Sequence, residues 1–194
     1  MARHREFDID EAVVRATALF WENGYDRTSL ADLTRTIGCK PPSFYFAFGS
    51  KDGLFRRVLD YYYDTYLVAA EVALAEPTSR RVAEGMLTRL ADIYTDGAAH
   101  PLGCLALKCG MSGAQAEEAV RTRQAELRAA RRGRLRARFE AAIAAGDLPP
   151  DADAEELARY VLVVGAGLAF EAQWGATNAE LKKVIARAMK AWPA

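Results

Sequence analysis

A chain of 194 residues can bury one core of ordinary size, or carry a small module joined to a larger one. Hydrophobic residues at 51% and charged residues at 27% fit a packed, soluble protein and exclude a disordered one. The 26 Lys and Arg cancel the 26 Asp and Glu, so net charge gives no sign of a nucleic-acid partner, and any DNA contact must come from a local patch.

Met1 is followed by Ala-Arg-His-Arg-Glu, with no apolar core of a signal peptide behind it. The longest nearly unbroken apolar stretch, Tyr160 to Phe170, falls short of the roughly 20 residues a membrane helix needs. A cytoplasmic protein is the expectation. Cys39, Cys104 and Cys109 are odd in number and lack metal-ligand spacing, so they read as reduced thiols, and neither a metal nor a cofactor is expected.

In chain order, helical spacing recurs throughout and no segment alternates with period two for long enough to form a sheet. The first helix is predicted from about Asp10 to Asn23, with Val13, Ala16 and Phe20 on one face and Gly24 as its stop. The second begins at Thr28-Ser29, two good N-caps, with Asp32 placed to favour the helix dipole and Gly38 at its end. Pro41-Pro42 opens a short third helix, since proline costs nothing in a first turn, and Gly49 breaks it near Phe48. Ser50 caps a long aromatic fourth helix from Lys51. Further helices are expected over about Ser79 to Thr95, around Leu105, over about Gln115 to Ala145, Ala154 to Gly175, and Asn178 to Trp192. The division between two parts is expected inside the fourth helix, giving domains 1–58 and 59–194.

Helix, Gly-containing turn, short helix is the order of a DNA-binding helix-turn-helix. Phe44 and Phe48, four apart, can face inward, which leaves Lys40, Ser43 and Ala47 towards a groove. From Phe20 to Phe55 the segment FWENGYDRTSLADLTRTIGCKPPSFYFAFGSKDGLF resembles the headpiece of the TetR family of bacterial regulators. The shared features are Gly24-Tyr25, Thr28-Ser29, Leu30, Leu33, Gly38, Ser43, Tyr45, Phe48, Gly49-Ser50-Lys51 and Leu54-Phe55. The resemblance implies an all-α fold of about nine helices: a three-helix DNA-binding domain followed by a helical-bundle domain for effector binding and dimerisation. It also implies a homodimer on double-stranded operator DNA of two-fold symmetry. Residue by residue, it implies that Thr28 and Ser29 meet a phosphate at a helix N-terminus. Tyr45 and Lys51 would meet other phosphates, and Lys40, Pro42 and Ser43 would face base edges. The arm Arg3, His4, Arg5 would reach the backbone or minor groove. Phe46 and Ala47 stand where many members carry polar residues, and an apolar group there suits a thymine methyl. Packing of Phe46 under the fourth helix is the competing expectation.

The remaining two-thirds has no phosphate loop, no metal cluster and no nucleophile beside a base, so an enzyme is not expected. Tyr160 to Phe170 is apolar almost all round, which calls for burial on several sides. A second subunit would supply one of them, through Leu162, Gly165, Ala166 and Ala169 together with Leu181, Val184, Ile185 and Ala188 of the last helix. The candidate lining of a pocket for a small, largely apolar effector is Tyr62, Tyr66, Met86, Leu90, Tyr94, Leu105, Met111, Phe139, Phe170 and Trp174. The arginine run from Arg128 to Arg138 reads as charge spread over exposed helix sides, with Glu126 and Glu140 nearby. A ligand-responsive repressor is the leading reading. An activator or a cysteine-based redox or metal sensor would use the same fold, and a helical interaction protein without DNA binding is the more distant alternative.

Overall fold

The computed structural model describes residues 7–112 and 118–193, and all regular structure among them is helical. Arg3 and Arg5 lie outside the described residues, as does the side chain of Met111. In chain order the helices are α1 (Ile9–Asn23), α2 (Leu30–Ile37), α3 (Pro41–Phe48), α4 (Lys51–Tyr62), α5 (Val68–Glu71), α6 (Ser79–Thr95), α7 (Leu105–Ser112), α8 (Glu118–Ala144), α9 (Ala154–Gln173) and α10 (Asn178–Ala188). A π-helical turn, Tyr63–Leu67, joins α4 to α5, and 3₁₀ turns follow α5 and α10. None of the described helices is long and apolar enough to cross a membrane.

Local chemistry sets most of the helix ends. The Asp8 carboxylate accepts from the backbone N–H groups of Asp10 and Glu11 at the start of α1. Ser29 and Asp32 form a reciprocal capping box on α2, as Thr177 and Glu180 do on α10. Gly38 ends α2 at φ 82°, a left-handed conformation that a side chain would strain.

Two compact units emerge: Met1–Asp64 with Leu105–Ala125, and Thr65–Cys104 with Glu126–Ala194. The first division falls inside the π-helical turn, whereas the expected boundary lay at residue 58 of an unbroken helix. The units also interleave in sequence, because α7 packs on α1 and α4. Leu105 and Tyr62 therefore belong to the first unit, not to the second that was expected to hold the effector; Tyr62 meets Trp21 edge-on, with ring centroids 5.0 Å apart.

In the second unit α6 packs against α9 and α10. The interface expected from α9 and α10 needs correction. Gly165 is buried against α6, where an added Cβ would stand 3.0 Å from Leu90 Cδ1. Ala169, Leu181 and Ile185 are also buried in the chain's own core. Gly165 does permit close helix approach, but the helix it admits is α6. Leu162, Ala166 and Ala188 are half-buried, and Val184 is exposed. Phe170 and Trp174 turn outward at 50% and 77% exposure, which removes both from an internal pocket lining. With Val163 and Gly167 they form one outer stripe of α9, at spacings of four, three and four.

The arginine run also departs from the expected solvated face. Arg134 grips Glu71, Arg138 donates to the carbonyls of Leu74, Glu76 and Pro77, and Arg131 is buried.

The two capping boxes have a pH signature. Hydrogen bonds from the Ser29 hydroxyl and N–H, with help from Arg35, hold the Asp32 carboxyl below its ordinary value. The Thr177 N–H and hydroxyl do the same for Glu180. A depressed carboxyl stabilises the fold above its unfolded pKa and loses that contribution as pH falls through the folded one. Asp32→Asn and Glu180→Gln are therefore expected to lower Tm at pH 7, and the gap to the unsubstituted protein closes below about pH 4. Thermal melts across that range by circular dichroism check it.

Candidate nucleic-acid interface

The first unit presents α3 on an aromatic base. Phe44 and Phe48 are buried with rings 5.3 Å apart, and they share the core with Phe20, Leu33, Leu54 and Phe55. Phe20, Tyr25 and Phe55 pack with centroid separations of 4.9 to 5.9 Å. The Tyr25 hydroxyl donates to Asp52 Oδ1 at 2.7 Å in a buried bond that ties the α1–α2 connection to the start of α4. Sequence reasoning missed that bond: Asp52 reads as an ordinary acid in a helix's first turn, and its partner lies 27 residues away.

What remains outward on α3 is specific. Phe46 is 86% exposed and Tyr45 51% exposed, with Lys40, Pro41 and Pro42 exposed ahead of them. Ser43 and Ala47 are half-buried. Phe46 does not pack under the fourth helix, so the competing expectation for it falls.

Thr28 needs correction as a phosphate contact. It is fully buried, its hydroxyl donates to the Gly24 carbonyl at 2.8 Å, and its N–H donates to Tyr25 O at 3.2 Å. Its role is to lock the turn before α2. Ser29 is exposed, but both its hydroxyl and its N–H are engaged by Asp32 Oδ2, at 2.5 and 3.1 Å. The carboxylate that completes the cap therefore occupies the donors expected to meet a phosphate. Lys51 stands over the Tyr25 ring, with Nζ 4.0 Å from the centroid. Burial pushes its ammonium below the ordinary lysine value, against the pull of Asp26 and Asp52.

Two further residues escaped the sequence reading. Arg57 lies over the Phe48 ring at 5.5 Å, and Phe7 meets Phe48 at 6.0 Å, which ties the entry to α1 to the end of α3. Gly53 packs so closely that an added Cβ would fall 1.9 Å from the Phe48 carbonyl oxygen.

Comparisons with known proteins agree with this geometry. Residues 13–58 match the family model of bacterial regulatory proteins of the tetR family, and residues 83–191 match the tetracyclin repressor-like C-terminal domain. The chain is 31% identical over 195 residues to the HTH-type transcriptional repressor ComR of Escherichia coli K12, covering 98% of this chain and 91% of that protein. It is 48% identical over 63 residues to the HTH-type transcriptional repressor BdcR of Escherichia coli K12, covering 32% of each. Among solved structures, a cysteine mutant of the TetR family transcriptional regulator CifR, complexed with 26 bp double-strand operator DNA, superimposes with a TM-score of 0.91. It is 37% identical, and the match spans 98% of this chain and all of that one.

The close contact at Gly53 yields a test. Gly53→Ala forces the α3–α4 connection apart, with an expected stability loss of about 1–3 kcal/mol. Because that connection sets the pose of α3, affinity for DNA should fall by more than the loss of folded protein explains. Denaturant melts beside gel shifts check both.

Proposed function

The chain belongs to the TetR family of bacterial regulatory proteins and is a DNA-binding transcriptional regulator; we propose that it acts as a homodimeric repressor, released from a two-fold symmetric operator when a small molecule occupies its second unit. The observation that carries the DNA-reading part is the outward face of α3. An aromatic ring left 86% exposed on a short helix with a buried aromatic back has no folding role to account for it. In a major groove Phe46 would lie against a thymine methyl, while Tyr45 donates its hydroxyl to a phosphate. Lys40, Pro42 and Ser43 are the further candidates at the start of the helix, and Lys51 is held close to the DNA-facing side. Support for the operator comes from the similar CifR mutant, complexed with operator DNA, and support for repression from the relatives named as repressors.

A homodimer follows from two requirements. Two recognition helices must sit about 34 Å apart to enter successive major grooves. The stripe of Val163, Gly167, Phe170 and Trp174, with Val184 exposed on α10, offers apolar surface that the described residues leave open. Such a stripe is the natural seam for a second copy. The effector reading is supported by the second family match, over residues 83–191, and Tyr66, Met86, Leu90, Tyr94 and Phe139 of the second unit are its candidate lining.

Three measurements test this. Gel shift with DNA from upstream of the protein's own coding region should give a discrete complex at stated salt; no shift with any nearby intergenic DNA would refute the reading. Phe46→Ala should weaken binding about three- to tenfold, with the same loss on replacing the contacted thymine by uracil and no further loss on combining the two changes. Trp174→Asp should turn the dimer into monomers by sedimentation equilibrium and remove tight operator binding while the headpiece stays folded.

A further inference from the structure

Arg131 stands on the inward side of α8, one and two turns before the fully buried Leu135 and Phe139, and is itself only 6% exposed. Its neighbour Arg134 holds Glu71 with two parallel bonds, Nε to Oε2 and Nη2 to Oε1, both 2.7 Å long. Arg131 Nε lies 3.6 Å from that same Oε1, beyond hydrogen-bond reach, and neither its Nε nor its Nη2 has a hydrogen-bond partner. Two guanidinium charges thus share one carboxylate. Arg131 keeps an ion pair with Glu71, but burying guanidinium N–H groups without a hydrogen bond is costly, and native proteins seldom do so without a use for it.

The unpaired atoms identify the missing partner. Nε and Nη2 form the side-on edge of the guanidinium, the edge by which Arg134 already holds a carboxylate. Two parallel donors at that spacing match two carboxylate oxygens. Beyond Arg131, α8 turns apolar side chains inward, and Phe139 packs on Trp192 with centroids 5.2 Å apart.

We propose that the effector is an organic monocarboxylate with an apolar tail, and that Arg131 binds its head group. This rests on the effector-binding reading above and narrows its chemistry from a largely apolar molecule to an amphipathic anion. Arg131 is the residue that selects for charge, and Leu135 and Phe139, further along the same side of α8, are the apolar side chains against which the tail would have to pack.

The test uses the full-length protein with octanoate and benzoate as probes, octanamide and benzamide as uncharged controls, and acetate as a head group without a tail. Calorimetry should show each probe binding at least about tenfold more tightly than its amide, because a charge-assisted bidentate bond is lost in the control. Acetate should bind more weakly than octanoate; equal binding would mark an adventitious ion only and overturn the proposal. Arg131→Met should lose the preference for carboxylate over amide. Without ligand, that variant should melt at or above the temperature of the unsubstituted protein, since a buried charge without hydrogen bonds at Nε and Nη2 has been replaced by an apolar chain of similar reach. A lower Tm or failure to fold would make Arg131 a structural partner of Glu71 and overturn the proposal, as would indifference of the unsubstituted protein to both carboxylates. Gel shifts on the same samples separate the two readings. Operator binding by both proteins, with no carboxylate effect, sinks only the anion site. No operator binding by the unsubstituted protein sinks the regulator reading itself.

Discussion

An eight-residue helix does not hold its shape alone in water, and α3 is such a helix. Its pose depends on the burial of Phe44 and Phe48 in the aromatic core of the first unit. Every outward feature of the DNA-facing side inherits its position from those two rings. The surrounding residues secure them from several directions: Tyr25 through Asp52, Phe7 against Phe48, and Gly53 by letting a backbone carbonyl come close. The arrangement spends its polar groups on itself. Thr28 and Ser29 complete turns and caps, so fewer donors face outward than the motif's residue types suggest. The proposed DNA contacts then rest on Tyr45, Phe46 and the exposed Lys40 ahead of them.

α9 shows a similar division of labour across one helix. Gly165 faces inward and admits α6, while the aromatic pair Phe170 and Trp174 faces out. That is the reverse of the arrangement expected when glycine and alanine are read as a subunit seam. A close intrachain contact needs small side chains because the backbones approach each other. A seam between subunits gains more from large aromatic groups, which bury more area per residue.

The sequence made the local features legible. Gly38 as the end of α2, Ser29 and Ser50 as caps, and Pro41-Pro42 opening α3 all act within a few residues of themselves. The inward pair Phe44 and Phe48 was readable from its spacing of four. Orientation beyond the local turn was not. A helix that is apolar all round, such as 160–170, carries no periodic signal for which side meets its own chain. Thr28 is a good cap by type, but its burial depends on where the turn after Gly24 places it. Arg131, Arg134 and Arg138 share one sequence context and meet three fates, because what each reaches belongs to a segment some 60 residues earlier.

The unequal sharing of Glu71 between Arg131 and Arg134 also bears on how a ligand could act at a distance. A ligand shifts a conformational equilibrium only by the difference in its affinity for the two states. A site that is already neutral and satisfied gives an anion little reason to prefer one state. On the proposed anion-site reading, a state in which Arg131 lacks a hydrogen-bonded carboxylate would gain most when the anion arrives. A state that lets Arg131 reach Glu71 gains least. In this structure Arg131 Nε lies 3.6 Å from Glu71 Oε1, the ion pair with which a bound carboxylate would compete. α8 carries Arg131, Arg134 and Arg138 on a single helix of 27 residues, and all three reach acceptors within residues 71–77, so an anion held by Arg131 would act on the segment that the other two also hold.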